Sequence, residues 1–287
     1  MNLDGRRQST NVDDRRGRGG AARMGGMGIG GLIVIGLITW LLGGNPLDVL
    51  QSAGSMDMIP QIEGNYTPTA EEEELAVFSR QILAGTEDVW SKIFSEYGRT
   101  YEPPKLVLFS GSVQSGCGGA TSQSGPFYCS ADQCVYIDLS FFSSMKKQIG
   151  ADGDFAYAYV IAHEVGHHVQ YLLGTLGKAH QQMRQVSEKE SNRISVRLEL
   201  QADYYAGVWA HYDNEMFGSL EPGDVEEGLA VAAKIGDDYI QKQAYGYSVP
   251  DSFNHGTSAQ RSKWLKKGIS TGDVNQWDTF SIDYNRL

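Results

Sequence analysis

The sequence predicts an α+β chain, mainly helical with a small sheet and preceded by one N-terminal transmembrane helix. Three observations predict it: a charge-free apolar run follows Arg23, two short β-type runs lie between residues 105 and 142, and four long helical patterns fill the chain after residue 154. The 287 residues are 41% hydrophobic and 21% charged, with a net charge of −11. This composition excludes collagen-like and wholly disordered chains. The acidic balance excludes a general nucleic-acid surface, which needs clustered Lys and Arg.

Residues 1–23 read as a basic arm, with six arginines (Arg6, Arg7, Arg15, Arg16, Arg18, Arg23) against three aspartates. Residues 24–44 form the predicted span, long enough at about 1.5 Å per residue to cross about 30 Å of hydrocarbon. A cleaved signal peptide fits less well, because the apolar stretch is long and no small-x-small site follows it. Arginines before the span and acidic residues after it place the N-terminus in the cytoplasm, by the positive-inside rule. The rest of the chain is then a periplasmic or extracytoplasmic domain, held at the inner (cytoplasmic) membrane by a single pass. Residues 45–68, with Pro46, Pro60 and Pro68, read as a tether, and residues 69–287 as the domain.

Within that domain, Thr69-Ala-Glu-Glu72 is a capping box opening a helix over Glu71 to Tyr97. Lys105 to Ser110 is a short strand, Gly111 to Ser130 a loop, and Val135 to Phe142 a second strand. Helices follow over about Asp154 to Leu173, Ser187 to Tyr212, Asp224 to Ala244 and Thr257 to Lys267, the last closed by Gly268. Cys117, Cys129 and Cys134 fall in one Gly- and Ser-rich stretch. An oxidising location permits a bridge, and Cys117 with Cys129 would close a short loop, although spacing leaves the connectivity open.

The first of the late helices carries His163-Glu164-Val165-Gly166-His167. Residues i and i+4 share a helix face, so the two imidazoles can present nitrogens to one Zn²⁺ with Glu164 beside an activated water. A catalytic zinc needs a third protein ligand and an open position. An extended motif with Gly at 170 and His at 173 is excluded, because Gln170 and Leu173 stand there. On the next long helix, Glu199 can supply the third ligand, and Asp203 one turn on can accept the free N–H of a liganding imidazole. Two imidazoles and a carboxylate suit zinc, and the same ligand types also suit iron or manganese.

His163 to His167 followed by Glu199 to Asp203 resembles the gluzincin arrangement. The basic arm, the glycine-rich span, Gly125 to Cys129, Val135 to Phe142 and His255 to Arg261 together resemble the bacterial neutral zinc metallopeptidases of the YpfJ-like type. The resemblance covers nearly the whole chain. It implies a zincin-like fold and a membrane-anchored zinc peptidase acting on a polypeptide substrate.

Glu164 is the expected general base. His255, in a loop before a capped helix, is the candidate donor to an oxyanion, or else a helix N-terminal contact or an exposed loop histidine. Arg261 either pairs with an active-site carboxylate or points to solvent. His168 turns away from His167 and reads as structural, and His180 and His211 have no companions in the sequence. The strand at 135–142 is either an edge for an extended peptide or a buried strand of an ordinary sheet. The competing function is a non-catalytic, membrane-tethered binding module held together by zinc.

Overall fold

The computed structural model describes residues 1–17, 66–150 and 153–287. The expected span at 24–44 and most of the tether lie outside the described residues. Among the described residues, no helix is long and apolar enough to cross a membrane. The fold is mainly helical with a small sheet, and the chain divides into two compact units. One holds Gln8–Gln81 and Pro103–Gly150, the other Met1–Arg7, Ile82–Glu102 and Ala151–Leu287.

The first unit is built on a four-stranded sheet. Strands β1 (Val12–Asp14), β2 (Lys105–Phe109), β5 (Phe127–Cys129) and β6 (Cys134–Asp138) lie in the order β1-β2-β6-β5. The pairs β1/β2 and β2/β6 are parallel, and β5/β6 is antiparallel. Leu106 to Phe109 form an unbroken apolar run buried on both faces, as parallel strands require. A separate hairpin joins β3 (Ser112–Ser115) to β4 (Gly118–Thr121), so the stretch expected as loop is largely strand. Cys117 and Cys129 are joined in a disulfide, while Cys134, opposite Cys129, is a buried free thiol.

The second predicted strand ends early because of one side chain. The Asp138 carboxylate accepts hydrogen bonds from the Ser140 and Gly111 amides and the Ser122 hydroxyl. It thereby turns the chain into helix α2 (Ser140–Ile149), where sequence pattern suggests strand to Phe142. β6 lies between β2 and β5 and offers no free edge, so the expected peptide-binding role of this strand is withdrawn.

The basic arm is also revised, because residues 1–17 are part of the fold. Val12 to Asp14 pair in register with Leu106 to Leu108, and the Arg15 amide donates to the Leu108 carbonyl. The Arg16 guanidinium grips Asp14 and Glu73, Arg6 grips Asp213, and Arg7 bonds Asp88. A Cβ on Gly17, which has φ +71°, would meet Tyr66 at 2.4 Å, so these two residues adjoin within one unit. A single bilayer crossing between them would set them on opposite sides. The strand pairing therefore corrects the expected topology, in which residues 1–23 stand in the cytoplasm and the domain in the periplasm. Arginines committed to ion pairs inside the fold are not free to orient a span.

Helix α1 (Ala70–Glu96) opens on the Thr69–Glu72 capping box. The second unit continues with α3 (Asp154–Leu172), α4 (Thr175–Met183), α5 (Glu188–Phe217), α6 (Asp224–Lys234), α7 (Asp237–Tyr245) and α8 (Ser258–Thr271). α5 is capped by the Ser187 side chain and closed by left-handed Gly218. The helix expected over 224–244 is two, because the loop before α8 docks at the break. There the Asp237 amide donates to the Gly256 carbonyl, and a Cβ on Gly236 would lie 2.2 Å from the Ser258 nitrogen. α8 runs past Gly268, the expected stop, to Gly272. Gly268 instead lets α8 press on Gly207 of α5, since a Cβ there would sit 2.3 Å from the Tyr204 carbonyl oxygen.

Candidate metal centre

α3 is buried almost all round, and its two motif imidazoles share one face. Gly166 between them lets α3 approach α5 closely: a Cβ there would stand 3.0 Å from the Ala202 carbonyl oxygen. Ala202 lies between Glu199 and Asp203, so this contact sets both carboxylates opposite the two histidines.

The donor atoms of His163, His167 and Glu199 all lie within 4.8 Å of one another. His163 Nε2 is 3.2 Å from Glu199 Oε2, and His167 Nε2 is 3.5 Å from Glu199 Oε1. Donors about 2.0–2.2 Å from a tetrahedral zinc sit at about this separation from each other. The far nitrogens are tied back. His163 Nδ1 lies 2.8 Å from Asp203 Oδ1, and His167 Nδ1 lies 2.9 Å from Gln170 Oε1, while Gln170 Nε2 donates to the Leu198 carbonyl. Each ring is thus held in the tautomer that leaves Nε2 free for a cation, and the donor set fits zinc.

Asp203 is the hub behind the ligands. Its Oδ1 accepts from the Tyr159 hydroxyl at 2.6 Å, and Arg261 donates to both oxygens at 2.9 Å. Burial works against ionisation, but the Arg261 charge and the His163 hydrogen bond hold Asp203 down at about 2. Burial likewise opposes charge on Glu199, yet the nearby His167 and His255 and the His163 bond keep it well below the usual carboxylate range. Burial disfavours the His163 imidazolium, but Asp203 first and Glu199 second push its pKa up, and a cation at Nε2 takes that proton's place.

Glu164 is 9% exposed. His255 is buried beside Asp237, with Nδ1 3.3 Å from Asp237 Oδ1. Arg261 is turned inward to Asp203 rather than to solvent. His168 Nε2 lies 2.7 Å from the Glu102 carbonyl, with its ring edge-on to Tyr101. His211 Nδ1 is 2.8 Å from the Ile269 carbonyl. Burial lowers the pKa of His180, with His167 adding to the effect. Sequence reasoning missed Tyr159 and Gln170 as polar partners. Their signal is helical spacing, one turn before His163 and three residues after His167.

Two imidazoles one helical turn apart, a glutamate between them in sequence and a carboxylate from a second helix form a cluster that could hold a metal ion, in the HExxH pattern of zinc hydrolases. The chain belongs to the family described as "Putative neutral zinc metallopeptidase", which it matches over residues 1–280. It is 48% identical to the protein YpfJ of Escherichia coli (strain K12) over 296 aligned positions, covering 98% of this chain and 99% of that protein. It is 42% identical to Rv2575 of Mycobacterium tuberculosis and to Mb2605 of Mycobacterium bovis over 256 positions, 84% of each chain. No solved structure matches it. At the level of the family the chain is a zinc-dependent peptidase, with Zn²⁺ as its metal and a polypeptide as its substrate.

Proposed function

We propose that the chain is a zinc-dependent endopeptidase in which His163, His167 and Glu199 hold the metal and Glu164 is the general base. The observation that carries this reading is the convergence of two Nε2 atoms on Glu199 while both Nδ1 atoms are tied to Asp203 and Gln170. Zinc at these three residues supplies Lewis-acid polarisation and a water acidic enough to attack at neutral pH. Among the described residues three donors converge, a number that would suit a catalytic metal better than a purely structural one.

Glu164 takes the proton of the attacking water and returns it to the leaving amine, a role worth about 10²–10⁴-fold in rate. His255 donates a hydrogen bond to the carbonyl oxygen as negative charge develops there, and one such donor is worth about 10²–10³-fold. Asp203, pinned by Arg261 and Tyr159, keeps the His163 ring aimed at the metal.

The test is Glu164→Gln in the full chain. Zinc content should stay at that of the parent, while hydrolysis of an unfolded polypeptide falls by at least about 10²-fold. A variant that cuts as fast as the parent removes the proposed chemistry. If the parent itself cuts nothing and zinc removal unfolds it, the tethered binding module takes its place.

In the same reading the charge-free run at 24–44 attaches the protein to the inner membrane, with residues 1–17 on the same side as the catalytic residues. The Cys117–Cys129 bridge supports the extracytoplasmic side, where disulfides persist. Epitope tags at the two ends of the chain should be equally exposed to external protease. Opposite exposure would restore a single crossing.

A further inference from the structure

The loop that carries His255 is organised by one carboxylate at the start of α7. Asp237 is 4% exposed, and its Oδ2 accepts three consecutive backbone amides, from Asn254 at 2.8 Å, His255 at 2.7 Å and Gly256 at 2.9 Å. Its Oδ1 faces His255 Nδ1 at 3.3 Å, and its own amide donates to the Gly256 carbonyl at 2.8 Å. The next residue, Asp238, takes the Ser258 amide and hydroxyl at 2.7 and 2.8 Å, which fixes the start of α8, the helix of Arg261.

The loop held in this way lies against the metal site. Gly256, at φ +97°, packs where a Cβ would stand 3.3 Å from Val196 and 3.4 Å from Leu200. Those two residues flank Glu199 on α5, so the loop rests on the turn that carries the third ligand. A side chain at Gly256 would be strained at this φ and crowded by these apolar neighbours.

We infer that Asp237 is a positioning residue of the proposed peptidase, shaping the 254–256 loop and holding the His255 ring by Nδ1 so that Nε2–H is left to meet the substrate's carbonyl oxygen. This rests on the role given to His255 above. The electrostatics point the same way: burial disfavours charge on His255, while Glu199 and the Asp237 hydrogen bond raise its pKa. No sequence pattern joins Asp237 to His255, and the pairing exists only in the folded chain.

The experiment is a double-mutant cycle in the full-length, zinc-loaded protein with a fluorescently labelled unfolded casein. His255→Ala should lower kcat by about 10²-fold with KM within about twofold. Asp237→Asn should do nearly the same with zinc content unchanged, because its NH2 group replaces one of the two acceptor oxygens and faces either the three backbone donors or His255 Nδ1–H. The double variant should be no slower than His255→Ala alone. If Asp237→Asn costs the same factor in the His255→Ala background as in the parent, Asp237 acts through general stability and the inference fails. If His255→Ala leaves kcat unchanged, the role of His255 itself is wrong, a separate failure.

Should Asp237→Asn not fold, nitrogen NMR of the parent with labelled histidine decides. The inference requires a proton on both His255 ring nitrogens, Nδ1 toward Asp237 and Nε2 toward the substrate. A lone pair on either overturns it.

Discussion

Arg261 closes on Asp203 through two hydrogen bonds, Nε to Oδ2 and Nη2 to Oδ1, both 2.9 Å, at a depth where the two residues are 2% and 0% exposed. A buried carboxylate stripped of its cation is costly. Arg261→Met should lower unfolding free energy by about 3–5 kcal/mol, and zinc affinity by roughly 10–100-fold as the His163 ring loosens. Arg261→Lys should restore only part of both, since lysine has no planar two-pronged fork. Urea denaturation and chelator competition measure the two effects, and an Arg261→Met protein that keeps both would mean that Asp203 needs no partner.

Gln170 bridges His167 Nδ1 to the Leu198 carbonyl, one residue before Glu199, and so ties both metal-binding helices to one side chain. Gln170→Ala should weaken zinc binding by about tenfold or more without changing the number of sites. Titration against a competing chelator checks this. Unchanged affinity would show that ring packing alone orients His167.

His168 supplies a pH dependence separate from the metal. Burial pushes its imidazole down to about 4, against the ordinary 6.5. Between those values the unfolded chain holds a proton that the folded chain does not, so stability falls as pH drops through 6.5 and the loss is complete near 4. The shift corresponds to about 3 kcal/mol. In His168→Gln, which can still donate to the Glu102 carbonyl, that slope should vanish. Chemical unfolding at pH 7, 5.5 and 4 compares the two, and parallel curves would exclude His168 as the source.

Gly207 and Gly268 let α5 and α8 touch backbone to backbone. A Cβ on Gly207 would stand 2.3 Å from the Leu265 carbonyl oxygen and 2.7 Å from the Ile269 nitrogen, neither of which can rotate away. Gly207→Ala should therefore cost about 3 kcal/mol or more and should also reduce zinc affinity, since α8 brings Arg261 to the site. Thermal melting with zinc titration tests both, and a parent-like melt would show that the helices can part without loss.

The readable parts of this protein are those with a local period. His163 and His167, and then Glu199 and Asp203, announce themselves by i, i+4 spacing on apolar helices, and capping residues mark the starts of α1, α5 and α8. What escapes sequence reasoning is long-range. Tyr159 looks like core packing until its hydroxyl is seen on Asp203, and Asp237 is an ordinary first-turn acid until the 254–256 amides close on it. Val12 to Asp14 are too short and too charged to read as a strand, because what makes them one is β2. The arginines beside them suggest a tail for the same reason, as their partners Glu73, Asp88 and Asp213 are distant in the chain.

The parallel union of Val12–Asp14 with Leu106–Leu108 also bears on how the protein is made. The ribosome releases this first strand well before the one it must join, so it waits unmatched until β2 emerges. A fusion or proteolytic trim that spoils it would leave β2 with a bare hydrogen-bonding rim, the kind of surface on which newly made chains stick to one another.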